Sequence, residues 1–241
     1  VESNEKREFA LAWKLKTDFK FPMAKGATAG RRSTVGVEMG AEPKERIVAA
    51  AREHFFQHGY SAFTMDDLAR TLGMSKKTLY VYFDGKDGLL RVMIEEFAGE
   101  IRAAADTLLA DRGLSFGEKL RGFAGEVMQR LGRVSPPILA DVERFAPALQ
   151  RHIEQLRGKH LPYIFGRFIE EGQKSGAVRG DVSPVFAGEF YLHAMQGLLQ
   201  PASLQRLRLR PEQAFDAGLG IFFGGLLTPA GQKDYEKLFH R

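Results

Sequence analysis

Residues 64–83, TMDDLARTLGMSKKTLYVYF, leave the chain little choice of local structure. Met65, Leu68, Ala69 and Leu72 fall at i, i+3, i+4 and i+7 and put one apolar face on a short helix. Thr64 stands before it as an N-cap, with Asp67 three residues on as a shortened capping box. Gly73 supplies the left-handed residue that ends such a helix. Ser75 caps a second helix, in which Leu79 and Phe83 at i and i+4 point back to the core. At about 100° per residue, Lys76, Lys77, Tyr80 and Val81 share the other side. Cations, a phenol and a methyl-bearing contact at the start of a helix suit phosphate clamping and base-edge contact in the major groove of DNA. A helix, a glycine and a helix also describe an ordinary hairpin with a solvated basic face, so the surrounding chain has to decide.

A chain of 241 residues has room for one large or two modest domains. Its net charge of +5 permits nucleic-acid binding but is too mild to argue for it. Residues 43–84 are nearly neutral, with six Lys and Arg against five Asp and Glu, so placement of charge matters more than its amount. No apolar run approaches the ~18–20 residues of a membrane span. No charged lead precedes an apolar stretch as in a secretory signal. Cysteine is absent, which excludes disulfides and thiolate chemistry. Together these features predict a cytoplasmic protein without membrane contact.

Three regions emerge along the chain. Residues 1–42 read as an N-terminal extension, disordered or partly helical. Residues 5–16 can form one amphipathic helix, and a Gly- and Ala-rich linker follows. Two readings stand open for it: a basic arm in which Lys25, Arg31 and Arg32 run along DNA, or a tail upstream of a natural start at Met23 or Met39. The second is favoured. From Pro43 the character changes. Pro43 suits a first helical turn, Ile47, Val48, Ala51 and Phe55 make an apolar face, and Gly59 ends the helix. This is a supporting helix for the pair at 64–83, and the three define a DNA-binding unit over residues 43–88.

Residues 44–94 resemble the DNA-binding domain of the TetR/AcrR family of transcriptional repressors. The resemblance rests on Arg46-Ile47, Ala50-Ala51, Phe55, Gly59-Tyr60, Thr64, Leu68-Ala69, Gly73, Ser75, Thr78-Leu79-Tyr80, Tyr82-Phe83, Lys86, Asp87 and Leu89 in order. It implies DNA contacts from Thr64, Ser75, Lys76, Lys77, Thr78, Tyr80, Tyr82 and Lys86. In that reading Tyr80 meets bases or phosphate, Tyr82 donates to a phosphate, and Lys86 reaches the backbone beside a helix N-terminus. Lys77 departs from the small residue often found at its position. Thr78 and Tyr82 also suit packing or capping.

Residues 89–241 read as helical throughout, so the expected fold is all-α. Leu90, Met93, Phe97, Ile101, Ala104 and Leu108 continue a helix to about residue 110. Ser115 and Glu118 form a capping box, and Ser135-Pro136-Pro137 starts another helix. Residues 148–157 and 160–175 read as two further pieces, and 201–210 as a link. The helix at 184–200 is apolar around much of its circumference, which implies burial on more than one side, and the helix at 211–227 carries glycines that let it approach a neighbour closely. The resemblance implies that this pair forms a homodimer interface, and two recognition helices about one DNA turn apart would read a palindromic double-stranded operator.

No catalytic pattern is present: no phosphate-cradling glycine motif, no H-E-x-x-H and no G-x-S-x-G. No enzyme activity, cofactor or metal is therefore expected. Glu189 and His193, at i and i+4, suit a metal or a cationic or polar effector, but such a pair is more often a helix hydrogen bond or an interface contact. The resemblance implies a small hydrophobic effector bound among the middle helices of residues 89–241. The candidate pocket residues are Phe123, Phe145, Phe165, Phe168, Phe190 and His193, although residues like all but the last are more often plain core. The predicted function is a ligand-responsive repressor. The alternative is a helical small-molecule-binding protein without DNA binding.

Overall fold

Local capping signals set the helix ends. The computed structural model describes residues 42–236, and every regular element among them is an α-helix. Helix α1 (Pro43–Ala62) changes course at Gly59, whose φ of 78° and ψ of −177° break the helical geometry. Helices α2 (Met65–Leu72) and α3 (Lys76–Tyr82) are capped as their sequence predicts. The Thr64 hydroxyl accepts the Asp67 N–H, Gly73 sits at φ 63°, and the Ser75 hydroxyl accepts the Thr78 N–H. Helix α4 (Gly85–Ala110) runs through residue 88 without interruption. Helix α5 (Phe116–Leu131) opens on the reciprocal Ser115–Glu118 box. The remaining helices, α6 (Pro136–Phe145), α7 (Pro147–Lys174), α8 (Pro184–Leu198), α9 (Pro201–Leu207), α10 (Pro211–Leu226) and α11 (Pro229–Glu236), all begin with proline. At that position the missing N–H has no intrahelical partner to lose.

Two elements differ from the sequence pattern. In place of two pieces at 148–157 and 160–175, α7 is one helix of 28 residues that carries Pro162 in its interior. An interior proline costs about 3 kcal/mol or more. Ile164, Phe165, Phe168 and Ile169 lie just beyond it, nearly inaccessible to solvent, and burying each contributes roughly 1.5–3 kcal/mol. Helix α8 packs against this turn so closely that a Cβ at Gly188 would lie 2.8 Å from the Pro162 carbonyl oxygen. Residues 201–210 are not a plain link either, since α9 occupies most of them and buries Leu204.

The apolar side chains gather in two clusters. The first joins Ile47, Ala51 and Phe55 of α1, Leu68 of α2, Leu79 of α3 and Leu89, Leu90 and Met93 of α4. Ile138 and Val142 of α6 complete it, so this core draws on the chain well beyond residue 94. The second joins α5, α7, α8, α10 and α11, with Phe123, Phe165, Phe168, Tyr191, Phe222 and Phe223 among its members. Phe165 and Tyr191 pack ring against ring with centroids 3.8 Å apart. The one extended pairing among the described residues is an isolated bridge between Val178 and Leu227. No helix among them is long and apolar enough to cross a membrane. The expectations for residues 1–41, Lys25, Arg31 and Arg32 included, lie outside the described residues.

Candidate nucleic-acid interface and interior cavity

Helix α3 buries Leu79 and leaves Lys76, Lys77, Tyr80, Val81 and Tyr82 exposed on its outer face. The burial of Leu79 and Phe83 beneath it fixes which face points outward. The hydroxyls of Thr64, Ser75 and Thr78 serve the turn. Thr64 donates to the Asp67 carboxylate at 2.6 Å, and the Ser75 and Thr78 hydroxyls share a bond of 2.8 Å. The Lys76 ammonium lies 2.9 Å from the Asp66 carboxylate. The hydrogen bond and charge of Asp66 hold its pKa above the ordinary lysine value.

Lys86 is held rather than free. Its ammonium donates to the Tyr60 carbonyl and sits 3.8 Å from the centre of the Tyr60 ring. Burial lowers its pKa, against the opposing charges of Asp87 and Asp141. The Tyr60 hydroxyl donates to Asp87 at 2.8 Å. Burial and that carboxylate push the phenol up to about 12. Asp141, on α6, reaches the same corner and accepts the Ser61 N–H at 2.6 Å. Burial would raise the Asp141 pKa, but the bonds from Ser61 and the Lys86 charge outweigh it and leave the carboxyl below its ordinary value. Thus α6 is tied to the turn that precedes α2.

Between the two apolar clusters lies a cavity of about 190 Å³. Helix α1 contributes Arg52, Phe55 and Phe56 to its wall, and α4 contributes Met93, Phe97 and Ile101. Phe123 and Val127 come from α5, Ile138 and Val142 from α6, Ile153, Arg157, His160 and Ile164 from α7, and Phe215 from α10. Of the pocket residues named from sequence, Phe123 lies in this wall. Phe165 and Phe168 do not; they pack behind Phe123, ring against ring, in the second cluster. Phe145 is exposed beside Arg144 at the end of α6. Phe190 is exposed on α8, stacked with Phe186 and Phe222. His193 is exposed as well, 4.0 Å from Glu189. Among the described residues no three His, Asp or Glu side chains converge to hold a metal ion. Arg52, Arg157 and His160 escape the sequence reading. The available signal was on α7, where Arg157 and His160 interrupt a stripe running through Ile153, Leu156, Leu161 and Ile164.

A buried three-helix core that presents the exposed face of its third helix defines a helix-turn-helix DNA-binding protein. The family of bacterial regulatory proteins called tetR matches residues 47–93. The chain is 30% identical over 144 residues to the HTH-type transcriptional regulator YhgD of Bacillus subtilis (strain 168), covering 58% of this chain and 74% of that one. It is 23% identical over 193 residues to the HTH-type transcriptional repressor DhaR of Mycobacterium sp. (strain GP1), covering 76% of this chain and 92% of DhaR. Among solved structures, a transcriptional regulator from Cytophaga hutchinsonii shares the fold with a TM-score of 0.58 at 20% identity, over 76% of this chain and 98% of that one. The chain belongs to the tetR family and is a DNA-binding transcriptional regulator.

Proposed function

We propose that the protein is a homodimeric repressor that grips a palindromic operator and is released when a small, largely apolar effector fills the cavity. The observation that carries this reading is the shared wall of the cavity. Helices α1 and α4 form the core that seats α3 and also line the space an effector would occupy. Helix α6 lines the same space through Ile138 and Val142, while its Asp141 holds Ser61. A molecule that favours one spacing of these helices biases the position of α3 by its differential affinity. In this reading residues 43–88 read DNA, and residues 89–241 bind the effector and the second copy.

Dimerisation is supported by apolar side chains left uncovered on α8 and α10. Val185 is 74% exposed, Phe186 66%, Phe190 57% and Ile221 72%. A contiguous patch of this kind marks an interface. Pairing copies through it would set two α3 helices on successive major grooves, about 34–36 Å apart. The outer face of α3 supplies Lys76, Lys77, Tyr80 and Tyr82 to DNA. Lys86 follows once it exchanges the Tyr60 carbonyl for a phosphate. Thr64, Ser75 and Thr78 contribute by fixing the turn and by any hydroxyl contact left to them. Repression is the sense suggested by the name of the relative DhaR.

The test is fluorescence anisotropy on DNA flanking the protein's own gene, over a salt titration, with Tyr80→Ala alongside. Salt-sensitive, site-specific binding by the parent and its loss in a folded Tyr80→Ala variant are expected. Equal operator affinity in parent and variant would show the recognition face to be misassigned.

A further inference from the structure

Every side chain in the cavity wall is apolar except Arg52, Arg157 and His160. Arg52 has its charge paired through its terminal nitrogens with Glu100 at 2.8 Å and Glu96 at 3.6 Å, although its Nε is buried without a partner. Arg157 differs. Among the described residues its guanidinium makes no hydrogen bond and no ion pair within 4 Å. Glu154, one turn earlier on α7, acts on it only through space, and its carboxylate accepts from Gln150 at 3.2 Å. Arg157 is half-buried and lines the cavity, and burial lowers its pKa. His160 follows at i+3, on the same face of α7. Its Nδ1 is buried without a partner. Burial, with the nearby charges of Lys159 and Arg102, lowers its pKa and so favours the neutral ring. A neutral imidazole still offers one N–H.

An arginine keeps its charge at any ordinary pH, and a charge in an apolar enclosure without a paired anion is costly. The fold supplies apolar walls and an unpaired guanidinium, but no anion. We propose that the effector of this cavity is a small amphipathic carboxylate, its apolar body against Phe97, Phe123 and Ile138 and its carboxylate on Arg157, with His160 beside it in the wall. Arginine and carboxylate match in bidentate geometry, with charge-assisted bonds roughly twice as strong as neutral ones. The volume of about 190 Å³ limits the body to around a single ring or a chain of similar bulk, given that a cavity of about 150 Å³ takes benzene. This inference rests on the effector reading above and adds the chemical class.

The probes are octanoate and octan-1-ol, which share a chain length and differ in charge, titrated by calorimetry into the full chain and into Arg157→Met and Arg157→Lys. The parent should bind octanoate about tenfold or more tighter than octan-1-ol, the margin of one charge-assisted bond set. Arg157→Met should lose that preference, while Arg157→Lys retains part of it. A parent that binds octan-1-ol as tightly as octanoate overturns the carboxylate assignment and leaves the cavity as an effector site. So does an unchanged preference in Arg157→Met. If neither probe binds a well-folded parent, the effector reading fails and this inference fails with it. Should Arg157→Met not fold, the parent's own preference and that of Arg157→Lys decide.

Discussion

Replacing Asp141 by alanine tests whether α6 is mechanically tied to the DNA-binding unit. Its carboxylate accepts the Ser61 N–H at 2.6 Å, and its charge also faces Lys86. A hydrogen bond to a charged group contributes about 1.5–3 kcal/mol. The site is half-buried, so water competes for both partners and about 1 kcal/mol is the reasonable expectation. For a chain of this size that lowers the melting temperature by roughly 2–4 °C. Locally, the Ser61 amide should exchange about fivefold faster with deuterium, the factor that 1 kcal/mol implies. The sign with pH is also fixed. A carboxyl held below its ordinary pKa contributes fully above about pH 4 and loses that contribution as pH falls through its folded value. The gap in stability between parent and Asp141→Ala should therefore close in acid. A variant that melts with the parent and protects Ser61 equally at neutral pH would refute the tie, and with it the route from cavity to α3 through α6.

Three further substitutions probe other parts. Gly59→Ala forces a side chain into a backbone state open essentially to glycine alone and sets its Cβ 3.0 Å from the Asp141 carboxylate. A loss of about 1–3 kcal/mol in urea unfolding is expected, and a loss near zero would mean that the turn relaxes freely. Ile221→Asp, on the uncovered face of α10, should leave the monomer folded and convert a dimer to a monomer in sedimentation velocity; an unaltered dimer would place the interface elsewhere. Burial raises the Asp216 carboxyl to about 6. The folded protein then keeps a proton that the unfolded chain has released, so stability falls as pH rises from about 4 to about 6. Asp216→Asn should flatten that slope in denaturant titrations, and an identical slope in both proteins would contradict the buried, uncompensated carboxyl.

Legibility in the sequence follows the range of the forces involved. Thr64, Gly73 and Ser75 act on backbone groups within a few residues, and Ser115 with Glu118 does the same, so the ends of α2, α3 and α5 could be read directly. The outward face of α3 was equally readable, because Leu79 and Phe83 can only point inward if the helix is to bury anything. The spacing of these residues determined an all-helical chain with a helix-turn-helix before any tertiary contact was known.

What only the tertiary structure decided depends on which faces meet. Phe165 and Phe168 carry the same local signal as Phe123, and all three fill one core, yet only Phe123 also borders the cavity; Phe165 is covered by Tyr191 of α8 and Phe222 of α10, and Phe168 packs on Phe123. The gap between the pieces at 148–157 and 160–175 is closed in α7, where the packing of Gly188 against Pro162 and the burial beyond it favour one continuous helix. Arg157 reads as a surface cation on an amphipathic helix. It becomes a candidate ligand contact because α1, α4, α5 and α6 close around it, and enclosure is a property of the assembled helices that no single stretch of sequence contains.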